Sequence, residues 1–144
     1  VHVEHAVRLL ICDYWYILPF EGRHDVPVFG YQISDGEDVL VFMTDSGYCK
    51  YTFEGMTVLM IEANFSEEIL QKNVEDGRID SIRAKRVFQN HMSIERVVDM
   101  LKSNDLSKLK EIRLLHLSDG NSDEVMFNRM IQEVAGVPVI VEEA

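Results

Sequence analysis

Three side chains stand out for the chemistry they could do: His24 in "EGRHDVPVFGYQI", Asp45 in "VFMTDSGY" and His91 in "FQNHMSIE". Imidazole nitrogen and carboxylate oxygen both ligate divalent metals, and each of the three sits at the end of an expected element, where loops carry function. Singly, each also has an ordinary explanation. Asp-Ser-Gly has turn composition, because Asp accepts local backbone hydrogen bonds and Gly permits positive φ. A lone histidine is more often a satisfied surface residue than a ligand. Asp45 differs in following an apolar run, since a buried strand that ends in a carboxylate is a rigid mount for a ligand.

The elements that must position these residues are strand-rich first and helix-rich later. Apolar runs at 7–11 and 15–20 predict strands. Residues 28–33 and 39–43 flank "SDGED", a turn that closes a hairpin. Residues 56–61, "MTVLMI", give another buried strand, ending in Glu62, which is expected to orient a neighbouring loop or to stand behind a ligand. Helices are predicted over 66–73, around Ile82, Val87 and Phe88, and over 93–101 with Ser93 as N-cap. A strand follows at 112–117. Asn121 and Glu124 resemble a capping box opening a helix to Val134 that Gly136 stops, and 137–141 is a last strand. The expectation is one compact α/β unit over residues 1–144, a mixed sheet covered by helices.

Composition narrows the function classes. With 47% hydrophobic and 27% charged residues the 144-residue chain can bury a core, which argues against disorder. No apolar run approaches the ~20 residues that cross a bilayer, and "VHVEHAVRLL" lacks a secretory signal, so a cytoplasmic location is expected. Cys12 and Cys49 form neither a disulfide framework nor a metal knuckle. A net charge of −11 repels a long phosphate backbone, because the densest basic cluster, Arg83, Lys85 and Arg86, is short. It leaves room for a small phosphorylated substrate held by metal ions.

Other residues carry weaker signals. His116 ends a strand in "LLHLSDGN", with Ser118 and Asn121 near a helix start, a place that favours a phosphate oxygen. A simple cap after a strand fits them as well. His2 and His5 read as exposed terminal residues, and the methionines read as packing.

The strings "RHDVPVFGYQI", "VFMTDSGY", "IEANFSEEIL" and "NHMSIE", in that order, resemble the metallo-β-lactamase-fold hydrolase superfamily, and within it the ribonuclease Z-like and phage-encoded branches. The likeness runs from about Trp15 to the C-terminus and includes "LLHLSDGNSDE" and "AGVPVIV". It implies His24, Asp45 and His91 as metal ligands, with Asp45 bridging two ions, zinc or alternatively manganese, lying ~3.5–4 Å apart. His116, Ser118 and Asn121 remain the candidate substrate contacts.

The superfamily's H-x-H-x-D-H motif is absent, and "HVEH" has the wrong spacing. The resemblance therefore implies the C-terminal half of an αββα sandwich. Its inner sheet face, with Val41, Met43, Val58, Met60 and Leu115 as candidates, should need cover from an N-terminal half or a second copy of the chain. Two function classes follow: a metal-dependent hydrolase of phosphodiesterase type completed by that partner, or a degenerate interaction module without activity.

Overall fold

The computed structural model describes residues 9–11 and 14–142. His2, His5 and Cys12 lie outside them. Seven strands form a single sheet in sequence order: β1 (Leu9–Ile11), β2 (Trp15–Glu21), β3 (Phe29–Ser34), β4 (Val39–Met43), β5 (Val58–Glu62), β6 (Glu111–Leu115) and β7 (Val139–Val141). The first four pair antiparallel and β4 to β7 pair parallel. Four helices occur among the described residues: α1 (Glu67–Glu75), α2 (Ser81–Asn90), α3 (Ile94–Lys102) and α4 (Glu124–Ala135). The class is α/β, a mixed sheet with helices, as the periodicities require.

Alternation along the strands decides which face the helices cover. Val41 and Met43 of β4, Leu59 and Ile61 of β5, and Ile112 and Leu114 of β6 share one face and are fully buried. They form one core with Val97 and Leu101 of α3 and Phe127 and Ile131 of α4. Helical spacing explains why those helices dock there, since Ile94, Val97 and Leu101 of α3 and Phe127 and Ile131 of α4 recur every three or four residues. A smaller cluster of Phe65, Leu70 and Ala84 packs α1 against α2.

The opposite face carries Leu40, Phe42, Val58 and Met60, all half-buried and outside both clusters. This corrects the expected composition of the partner-facing surface. Val41 and Met43 sit under the helices, one residue out of phase with Phe42, whereas Val58 and Met60 do lie on the other side.

Side chains cap the starts of α2, α3 and α4, whereas at α1 the N-cap Ser66 makes no capping bond and its hydroxyl donates to Glu95. Ser93 accepts from the Arg96 amide, and Asp80 accepts from the amides of Ile82 and Arg83. At α4 the cap is Asp123, accepting from Met126, and not Asn121. Asn121 is instead drawn into the preceding loop, donating to Ser118 Oγ and accepting from Asn73. Gly136 ends α4 at φ 64, a left-handed conformation that glycine adopts without strain. No helix among the described residues is long and apolar enough to cross a membrane.

Candidate metal centre

Three neighbouring parallel strands each end in, or just before, a metal-capable residue. Glu62 is the last residue of β5, His116 directly follows β6, and Asp45 lies two residues beyond β4. The crevice at the carboxyl ends of parallel strands is where α/β sheets bind ligands. His91 arrives from a different direction as the C-cap of α2, its amide donating to the Val87 carbonyl. One ligand-capable atom from each of Asp45, Glu62, His91 and His116 lies within 4.8 Å of all the others.

Glu62 is the hub. Its side chain is 1% exposed, a location where a carboxylate is costly unless it is satisfied. Oε2 accepts from the amides of Ser46 at 3.2 Å and Met92 at 3.4 Å. Oε1 lies 2.7 Å from Nδ1 of His91 and 2.9 Å from Nδ1 of His116. Asp45 Oδ1 stands 3.8 Å from the His91 nitrogen and 3.5 Å from that of His116. Asp45 and His116 are each 46% exposed, so this half of the group faces solvent. The hydrogen bond to Glu62 raises the pKa of His91 above the ordinary histidine value. Partial burial opposes that shift, and the charges of Glu62, Asp45 and Asp25 add to it.

The Asp-Ser-Gly turn ties the loops of the site together. Ser46 is 1% exposed; its hydroxyl donates to the Tyr48 carbonyl and accepts from the Arg23 amide at 2.7 Å. Its amide holds Glu62, and the Gly47 amide donates to the Arg23 carbonyl. Gly47 packs against the last turn of α2, which His91 caps, so closely that a Cβ there would lie 2.1 Å from the Gln89 carbonyl oxygen. Arg96 of α3 closes the arrangement by donating to the carbonyls of Gly47 and Phe88. Asp45 at φ 52 and His116 at φ 54 are the non-glycine residues with positive φ among those described. Backbone strain of that kind persists only where its surroundings hold it. At His116 part of that hold is Asn64, whose side-chain amide donates to the His116 carbonyl.

The structure thus brings Asp45 and His91 together and adds Glu62 and His116 to them. His24 stands beside the group, its ring 6.1 Å from that of His91 in an edge-to-face arrangement, with Nδ1 2.6 Å from Asp25. Ser118 and Asn121 line a separate cleft with Arg78 and Arg83. The α4 amide that a phosphate oxygen would have used is taken by Asp123. The sequence signal for the enlarged group is a repeated one. "VFMTD", "VLMIE" and "IRLLH" are three apolar runs that each deliver a metal-capable side chain at the end.

Two imidazoles and two carboxylates converging from rigid elements suit a borderline divalent cation such as zinc. The donor set fits one ion from this chain.

Comparison with known proteins bears on the fold. No family model matches the sequence, and no curated protein matches it significantly. Among solved structures, the metallo-β-lactamase fold protein YhfI from Bacillus subtilis is similar at 17% identity and TM-score 0.66, covering 95% of this chain and 50% of that one. The short form of human tRNase Z is similar at 16% identity and TM-score 0.57, covering 97% and 45%. CmlA, a diiron β-hydroxylase from Streptomyces venezuelae, shows 13% identity and TM-score 0.53, covering 94% and 32%. The fold is that of metallo-β-lactamase-fold proteins, and the chain spans half the length of these structures or less.

Proposed function

We propose that this chain is the C-terminal portion of a metal-dependent hydrolase acting on phosphodiester or related small phosphorylated substrates. The observation that carries the reading is the convergence of Asp45, Glu62, His91 and His116 at the carboxyl ends of three parallel strands and the end of α2. We assign zinc as the metal, with manganese as the alternative, and two ions in the complete site. The second ion requires donors beyond these four residues. A divalent cation so held supplies Lewis-acid polarisation of a phosphoryl oxygen and acidifies water at the site.

The chain's own residues fix the site and keep it open. Glu62, anchored by two backbone amides, aims its free oxygen at both imidazoles and sets their orientation. Asp45 and His116 form the solvent side that a substrate meets first. His24 is the further ligand implied by the sequence resemblance. Next to His91 and paired with Asp25, it is placed to serve a second ion or to steady the first group. Ser118 and Asn121 are retained as substrate contacts through the cleft they share with Arg83.

The half-buried face of Leu40, Phe42, Val58 and Met60 supports a covering partner, an N-terminal half of the same fold or a second copy. Its apolar character fits an obligate contact. The buried free thiol of Cys49, its pKa raised by burial, fits a reducing cytoplasmic location. The test is hydrolysis of bis(4-nitrophenyl) phosphate by the chain with zinc or manganese, alone and with an H-x-H-x-D-H-bearing half supplied in trans. Turnover that needs both parts and is lost in Asp45→Asn supports the reading. No metal-dependent turnover in any combination removes it.

A further inference from the structure

An open cleft of about 800 Å³ adjoins the metal-capable group. His24 and His91 line it, as do Arg83 and Arg86 of α2. A second cleft of about 420 Å³ shares Arg83 and continues to Arg78, Ser118 and Asn121. Lys85, between the two arginines in sequence, lines neither.

We propose that Arg83 and Arg86 anchor a phosphate group of the small substrate whose reacting end reaches the His91 side of the cleft. This rests on the hydrolase reading above and names the residues that hold its substrate.

Three observations carry the inference. The first is geometric. Residues three apart on a helix are neighbours, with Cβ atoms roughly 5–6 Å apart, so α2 presents two guanidinium groups to one opening. A phosphate has enough oxygens to engage both planar forks. The second concerns pairing. Five other basic residues, Arg78, Arg96, Lys110, Arg113 and Arg129, are in ion pairs. Arg83 and Arg86 make none among the described residues, a state they share with Arg23 and five lysines, but of these cations they alone line the cleft beside His91. The two aspartates in the same cleft are already engaged, Asp25 by His24 and Asp80 by the amides that open α2. Neither aspartate pairs with Arg83 or Arg86, so both guanidinium groups stay available to an anion. The third is size. A volume near 800 Å³ is within the range of small-molecule sites and is enough for a nucleotide.

The test is calorimetric titration of thymidine 3′,5′-bisphosphate into the purified chain, manganese-loaded and in EDTA, with thymidine as the uncharged control. Arg83→Gln and Arg86→Gln should each weaken bisphosphate binding about tenfold in both conditions and leave metal content unchanged. Arg129→Gln, on α4 with Glu133, should leave affinity as it is. Equal affinity in wild type, Arg83→Gln and Arg86→Gln would overturn the proposal, as would binding that EDTA abolishes and neither arginine affects. If the chain retains no metal, the hydrolase reading fails separately, and the arginine dependence in EDTA still decides this one.

Discussion

Glu62 Oε1 and His91 Nδ1 lie 2.7 Å apart across 29 residues of sequence, one at the end of a buried strand and the other at the end of a helix. Burying a carboxylate is costly unless its oxygens are satisfied, and Glu62 uses one oxygen for two backbone amides and the other for two imidazoles. Position and orientation of the site therefore converge on one side chain.

Glu62→Gln tests that role with almost no change of shape. The amide replaces one acceptor oxygen by a donor, which cannot serve both the backbone amides and the imidazoles. Affinity for zinc or manganese should fall at least about tenfold, the scale of lost support for metal ligands. Competition against a chromophoric chelator measures it, and an unchanged affinity counts against Glu62 as the hub.

The raised pKa of His91 fixes the sign of a pH effect. In the folded, metal-free chain His91 keeps its proton to higher pH than when unfolded. Its pairing with Glu62 therefore adds stability that is complete below the unfolded value, about 6.5, and fades as pH rises through the higher folded value. In EDTA, the stability gap between wild type and His91→Gln should narrow as pH rises. With metal the trend reverses, because a ligand must be deprotonated. Thermal unfolding of both proteins across about pH 5 to 8 covers the range where histidine titrates. A gap in EDTA that widens with pH would contradict the assignment.

Gly47→Ala should destabilise the chain by about 1–3 kcal/mol, the usual cost of overpacking, because its Cβ would meet the Gln89 backbone and not a movable side chain. The displaced helix end carries His91 as its C-cap, so metal affinity should fall too. Gly120→Ala, where an added Cβ meets nothing within 4 Å, is the matched control. Urea unfolding of the two variants distinguishes a specific close approach from general intolerance of the loops.

Much of this was legible in the sequence, and the gaps have physical reasons. Element types were clear because a short, continuous apolar run such as Val39–Met43 differs sharply from the 3.6-residue period of Ile94–Lys102. The facing of β4 was not. A near-continuous apolar strand leaves the inside and outside phases indistinguishable, and only the register with β5 shows that Val41 and Met43 lie under the helices. Asp45 and His91 could be singled out because they interrupt apolar or helical patterns. The arrival of Glu62 and His116 beside them depends on β5 and β6 being parallel neighbours in register, a long-range pairing that local patterns do not contain. Asn121 matched a capping box, yet Asp123 has the better-placed oxygen and takes the cap.

The half-buried face of the sheet makes a prediction about association. Met60 lies beside Phe42 in the register of β4 and β5, on the side away from the helices. The wild-type chain should associate with itself or with its complementary half, and Met60→Glu should weaken that association while α3 and α4 still cover the core. Size-exclusion with light scattering reads both. A wild-type monomer with no affinity for the complementary half would count against a covering partner.

The most direct measurement is the metal content of the chain purified without chelator, by mass spectrometry of the elements, in wild type and in Asp45→Ala and His116→Ala. The account predicts zinc or manganese bound to wild type at about one ion per chain and largely lost from both variants. A wild-type chain without stoichiometric metal, which also takes none up from solution with or without its complementary half, would contradict it.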